Sequence, residues 1–206
     1  MMQGVKIIRK REQLTTTWSG GMTTELAIYP PGATYAQRDF SWRISTATIN
    51  DEKSEFTALP GFWRILTVID GELALVHEGY HSTTLRPFEQ DEFSGGWKTT
   101  STGTATDFNV MLAPGHVGYV TAFTIDPGAE HLLSLTKTST KDGEFSIFYT
   151  PHHAVSLIGD MNQDTLACGD TLVVDGAQIS GQCHLAFRND NAVAAHLIHC
   201  TVRRES

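Results

Sequence analysis

RILTVIDGELALVHE, from Arg64 to Glu78, decides the kind of fold this chain adopts. Two short runs, RILTVI and ELALVHE, meet at Asp70-Gly71, a pair that tolerates positive φ and so reads as a short hairpin connection. The same texture recurs along the 206 residues, where runs rich in Ile, Val, Thr, Phe and Trp are punctuated by Gly, Pro, Asn and Asp. Helical periodicity is nearly absent. Strands are expected at Val5–Ile8, Thr24–Ile28, Ser41–Ile49, Arg64–Asp70, Glu72–His77, His81–Leu85 and Glu92–Phe93, then at Asp107–Leu112, Gly118–Thr124, Phe145–Thr150, Val155–Ile158, Asp170–Val174 and His196–Cys200.

So many short strands favour an antiparallel sandwich or barrel. A second pass finds SLIGDMNQ followed by TLACGDTLVVDG, a loose echo of TVIDGELALV followed by STTLRPFEQDEFSGG. The echo implies a duplicated barrel, one compact unit of two β lobes covering approximately 1–116 and 117–206. TKTSTKDG, from Thr136 to Gly143, is expected as an exposed loop.

Composition narrows the function classes. Fifteen Lys and Arg against 23 Asp and Glu leave a net charge of −8, which argues against a nucleic-acid partner. No run approaches the ~20 apolar residues of a membrane span, and MMQGVKIIRKREQL lacks the apolar core of a signal peptide. A cytoplasmic protein is expected. Cys168, Cys183 and Cys200 have no CxxC spacing and read as buried small hydrophobes.

Polar intrusions point to a site. In TTTWSGGMTTEL, from Thr15 to Leu26, no Lys-Ser/Thr follows the glycines and Ser19 is not in a GxSxG elbow, so phosphate-loop and serine-hydrolase readings are disfavoured. Alternation puts Thr23, Glu25, Ala27 and Tyr29 on one face of the following strand, with Thr24, Leu26 and Ile28 on the other. Leu26 and Ile28 mark the core, leaving Thr23 and Glu25 for solvent or a polar cavity. Arg43 in FSWRISTATI and Arg64 in GFWRILTVI interrupt apolar strands, and each needs a carboxylate partner or an anionic ligand. Asn109 in DFNVML must satisfy both amide donor and acceptor. His77 and His81 flank a hairpin, but no HxH pair of the metal-binding cupin type occurs, and neither metal nor cofactor is expected.

WSGGMTTELAIYP, RDFSWRISTATI, SEFTALPGFWRILTVIDGELAL and DFNVML, in that order, resemble the HutD/Ves family. The resemblance implies an all-β, two-lobed cupin-like (bicupin) antiparallel barrel or sandwich. It carries the family's Gly-x-Thr-x-Glu onto Gly21, Thr23 and Glu25, and its Trp-Arg onto Trp42 and Arg43. Pro-Gly-x-x-Arg falls on Pro60, Gly61 and Arg64, and Asp-Phe-Asn on Asp107, Phe108 and Asn109. The chain departs at Trp18, where Ser19 and Gly20 replace a longer Lys/Arg-Asn segment found in many members. The resemblance also implies an association with histidine utilisation or stress responses, with no established reaction.

The expectation is a non-catalytic, regulatory binder of a small carboxylate such as urocanate or formylglutamate. Arg43 and Arg64 would hold the carboxylate, Thr23 and Asn109 would supply neutral hydrogen bonds, Glu25 would orient an arginine or accept from the ligand, and Trp18 would border the site. The alternative is a metal-independent isomerase or hydrolase with Glu25 as general base, although a neighbouring arginine works against that role. A purely structural charge network, Arg43 with Glu25 and Arg64 with Asp107, is the third reading. The only partner expected is the small anionic ligand, and a homodimer is left open.

Overall fold

The computed structural model describes residues 3–138, 143–159 and 163–205. The chain divides into two units: residues 13–116, and residues 1–12 together with 117–206. The strands up to the division are β1 (Val5–Ile8), β2 (Leu14–Trp18), β3 (Gly21–Tyr29), β4 (Trp42–Ile49), β5 (Lys53–Glu55), β6 (Trp63–Gly71), β7 (Leu73–His77), β8 (His81–Leu85), β9 (Gln90–Ser94), β10 (Thr99–Thr102) and β11 (Ala105–Leu112). Then follow β12 (His116–Ile125), β13 (Glu130–Thr136), β14 (Phe145–Tyr149), β15 (Val155–Gly159), β16 (Gln163–Leu166), β17 (Thr171–Asp175), β18 (Gln182–Arg188) and β19 (Ala195–Arg204). Among the described residues no helix is long and apolar enough to cross a membrane.

Unit 13–116 is built of a six-stranded sheet, β2-β3-β4-β11-β6-β9, and a four-stranded sheet, β5-β10-β7-β8. The other unit has β1-β17-β14-β19-β12 and β13-β18-β15-β16. Adding eight to each strand number turns β4-β11-β6-β9 into β12-β19-β14-β17, and β5-β10-β7-β8 into β13-β18-β15-β16. The same topology is therefore used twice, all antiparallel, and the fold is the two-lobed cupin-like one.

The repetition extends to single hydrogen bonds. The Arg86 amide donates to Glu89 Oε2 and the Phe88 amide to the Val68 carbonyl. In the other unit Ala167 donates to Asp170 Oδ2 and Gly169 to the Thr150 carbonyl. Phe88 and Gly169, at the same place in the two turns, both have positive φ.

Each core lies between a unit's two sheets. Leu66 and Val68 of the larger sheet meet Leu73, Leu75 and Leu85 of the smaller one, just as Phe148 and Leu172 meet Leu157, Leu185 and Phe187 in the other unit. Each such side chain contributes roughly 1.5–3 kcal/mol when fully buried.

Several expectations are corrected. Asp70-Gly71 is not a hairpin connection, because β6 pairs with β11 and β9 whereas β7 pairs with β10 and β8. It is a corner where the chain passes from one sheet to the other. The β6–β11 register shifts there, between Thr106 and Asp107, and a Cβ on Gly71 (φ 83°) would run into the Thr104 carbonyl.

Residues 1–12, expected with the first lobe, belong to the second unit. β1 pairs with β17, and Arg9 binds Asp170 and Asp164 at 2.8 and 2.9 Å. Cys183 and Cys200 are buried, but Cys168 is exposed in the Ala167–Asp170 turn. Of the loop expected over Thr136–Gly143, residue 136 ends β13 and residues 139–142 lie outside the described residues. Residues 160–162 of the SLIGDMNQ echo also lie outside them.

Candidate functional site

Register builds the site as rows across the six-stranded sheet. Arg43, Met111, Arg64 and Phe93 form one row, on β4, β11, β6 and β9. Glu25, Ser45 and Asn109 form the next row, and Thr23, Ala47 and Asp107 the one after. Alternation sends all of these side chains to the same face. A cavity of about 270 Å³ lies over that face, lined by Trp18, Thr23, Arg43, Arg64 and Asn109 among the expected residues.

Glu25 does not line this cavity. Its Oε2 accepts from Arg43 Nε at 2.7 Å, while Arg43 Nη1 donates to Ser45 Oγ at 3.1 Å. A bulge in β3 follows directly, since Glu25 is opposite Ser45 but Ala27 is opposite Ile44. Beyond the bulge, Ile28 stands opposite Arg43 and Tyr29 opposite Trp42. The expected alternation, with Leu26 and Ile28 on one face and Ala27 and Tyr29 on that of Glu25, therefore fails past Leu26.

Trp18 sits at the rim, 37% exposed, with Nε1 donating to Thr23 Oγ1 at 3.2 Å. The glycines beside it answer to close approach. A Cβ on Gly20 would meet the Trp18 ring, and one on Gly21 would meet the Thr48 carbonyl on β4. β2 and β3 form a tight hairpin across them, with Trp18 opposite Gly21.

The two arginines differ in how they are satisfied. Arg43 has Glu25 and Ser45 as partners and lies 4.6 Å from the centre of the Tyr35 ring. Arg64 is stacked over Phe56 at 4.8 Å and lies 5.3 Å from the Phe93 ring, yet its buried Nε has no hydrogen-bond partner. Burial lowers its pKa to about 10 against the opposing pull of Asp107. Asn109 Oδ1 is also buried without a partner. Asp107 is 2% exposed, and its Oδ1 accepts a 3.2 Å bond from the Ala47 amide. Burial raises its pKa to about 7, against the opposing influence of Arg64 and of that amide.

Sequence reasoning missed Tyr35 and Phe56 as members of this site, and named Asp107 only as the partner of Arg64 in a structural charge network. Tyr35 and Phe56 lie in segments between strands, where alternation gives no signal.

His77 and His81, opposite each other on β7 and β8, have ring centres 4.5 Å apart and share Asp91. Burial is the main influence on His77 and lowers its pKa. In the other unit, partly buried His199 is stacked on Phe148 with its pKa pushed down to about 4, chiefly by burial.

Two cupin-like units, one of them holding a cavity with buried arginine, aspartate and asparagine, define a class of small β proteins that can enclose a polar ligand. The HutD family profile matches residues 10–195, and the chain belongs to the HutD family. It is similar to PA5104, a conserved protein of unknown function from Pseudomonas aeruginosa PAO1, at 24% identity and TM-score 0.78, covering 98% of this chain and 99% of that one. It is also similar to HutD from Pseudomonas fluorescens SBW25, at 22% identity and TM-score 0.66 over 97% and 99% of the two chains. A mutant of oxalate decarboxylase OxdC from Bacillus subtilis shares the fold at 9% identity and TM-score 0.65, over 97% of this chain and 77% of that one.

Proposed function

We propose that the protein is a non-catalytic, regulatory binder of a small carboxylate, held in the cavity of unit 13–116. The observation that carries this reading is Arg64, a buried cation with an unpartnered Nε facing a cavity. Leaving a buried charge uncompensated costs several kcal/mol, and an anionic ligand removes that cost. On a protein of net charge −8 such a local positive focus is what would draw in an anion. Arg64 takes the carboxylate with Arg43, whose free guanidinium edge is oriented by Glu25. The Asn109 amide and the Thr23 hydroxyl contact the neutral part of the ligand, and Tyr35 and Phe56 wall it in.

Urocanate and formylglutamate fit this description as small carboxylates with hydrogen-bonding groups, and both belong with the histidine-utilisation role proposed here. The three free cysteines agree with cytoplasmic residence, where thiols stay reduced. Thermal shift with these two acids, followed by calorimetry, tests the reading. A ligand bound only by the folded state raises the melting temperature. Failure of both acids, and of other small carboxylates, to bind at millimolar concentration would reject it.

A second reading has its own observation. An enzyme acting on a small acid needs a carboxylate poised near neutrality, and that group is Asp107 rather than Glu25, whose carboxylate is engaged by Arg43. Turnover of urocanate or a formylated amino acid that disappears in Asp107→Asn would favour catalysis over binding.

A further inference from the structure

Outside the cavity, three potential ligand atoms converge on one point. His77 Nε2 is 2.8 Å from Asp91 Oδ2, and His81 Nε2 is 3.0 and 3.1 Å from the two Asp91 oxygens. All three donor atoms lie within 4.8 Å of one another. The two histidines face each other across the β7–β8 hairpin of the four-stranded sheet, while Asp91 stands on β9 of the six-stranded one.

The His77 ring is fixed from behind. Its Nδ1 is 2.8 Å from Thr99 Oγ1, whose hydroxyl lies 3.5 Å from the Trp97 carbonyl, an acceptor only. A hydroxyl that gives its single proton to that carbonyl accepts the Nδ1 proton. In a neutral ring with that tautomer Nε2 presents its lone pair towards the carboxylate, a pair of acceptors that a cation would bridge. Phe93, 4.5 Å from the ring centre, holds the imidazole on a second side. A hydrogen-bond partner on the far nitrogen is the usual means of orienting a histidine ligand.

We propose that His77, His81 and Asp91 bind a divalent first-row transition ion that clips the β7–β8 hairpin to β9. Two imidazoles and one carboxylate suit zinc or cobalt rather than magnesium or calcium, which prefer all-oxygen sites. The separations of 2.8–3.1 Å between each histidine nitrogen and Asp91 are those of an octahedral edge with bonds of about 2.0–2.2 Å. His81 has a side chain 40% exposed, so an ion reaches the site from solvent and keeps a position for water. None of the three residues lines the carboxylate cavity; Phe93 stands between His77 and Arg64. The sequence expectation of no metal rested on the missing HxH pair, whereas these ligands come from three different strands.

The test is titration of chelator-treated, desalted full-length protein with zinc chloride by calorimetry, and with cobalt chloride by visible absorption. The expected result is one ion per chain, a raised melting temperature, and cobalt bands shifted from those of the hydrated ion. His81→Ala, at a side chain 40% exposed, and Asp91→Asn, which keeps the shape of a side chain 16% exposed, should each weaken binding at least about tenfold, with folding checked by the melting transition. The double variant His152→Ala/His153→Ala should bind as the wild type does, since those residues lie in the other unit. Absence of one-to-one binding would overturn the proposal. So would binding that survives His81→Ala and Asp91→Asn but is lost in the His152/His153 variant.

Discussion

Arg43 and Arg64 flank Met111 in one row across three strands, and among the described residues only Arg43 is joined to a carboxylate. The asymmetry separates stability from function at a single side chain. Arg64→Met keeps the volume and the contacts with Phe56 and Phe93 while removing a cation that is costly to bury. It should raise stability by about 1–3 kcal/mol in urea denaturation. It should also weaken carboxylate binding at least tenfold, since a charge-assisted hydrogen bond contributes about 1.5–3 kcal/mol. A less stable Arg64→Met protein with unchanged affinity would make the guanidinium a structural element.

Glu25 is tied to Arg43 at 2.7 Å, and Arg43 is itself buried. Glu25→Gln keeps the shape but leaves Arg43 without its counter-charge. Because the Glu25 side chain is one-fifth exposed, the loss should fall near 1–3 kcal/mol, below that for a fully buried pair. Arg43→Met combined with Glu25→Gln should recover part of it, and a double-mutant cycle measures the coupling. If Glu25 were instead a general base, the single substitution would abolish turnover at nearly unchanged stability.

Asp107 sets the expected pH dependence. Its pKa in the folded chain is about 7, against 3.8 for the ordinary side chain. Between these values the folded state holds a proton that the unfolded chain has released, so stability falls as pH rises from about 4 to about 7. Bound carboxylate should follow the same direction, because ionised Asp107 adds a negative charge to the cavity. Asp107→Asn should flatten both profiles in denaturation and calorimetry at pH 5 to 8. A wild-type stability that is flat through this window, and no different in slope from that of Asp107→Asn, would show that the carboxyl ionises at or below its ordinary value.

Arg43, Arg64 and Asn109 were legible because each breaks an apolar strand with a group that demands a partner, a conflict visible without coordinates. Tyr35 and Phe56 were not, since an aromatic residue between strands has no alternation to say which way it turns. Among the strands that escaped notice, β2, β5 and β10 are short and rich in Thr, Ser or charged residues. Their pairing, not their apolarity, makes them strands. Leu26 shows the limit of period-two reasoning: one inserted residue in β3 reverses every face after it, and nothing in TTELAIY marks the bulge. Asp70-Gly71 shows another, because a residue pair suited to positive φ serves a corner between sheets as well as a hairpin.

The glycine pair beside Trp18 offers a contrast that tests how the rim is built. A Cβ on Gly21 would strike the Thr48 carbonyl, a backbone atom held in the β3–β4 ladder. Either the hairpin shifts or the pairing breaks, and Gly21→Ala should cost about 2–4 kcal/mol. A Cβ on Gly20 would meet chiefly the ring of Trp18, an exposed side chain that can rotate away. Gly20→Ala should therefore cost less than about 1 kcal/mol, with loss of the Trp18 Nε1 bond to Thr23 and a red shift in tryptophan emission. Comparable losses from the two substitutions, read by urea denaturation, would mean that Trp18 is as fixed as the strand beside it.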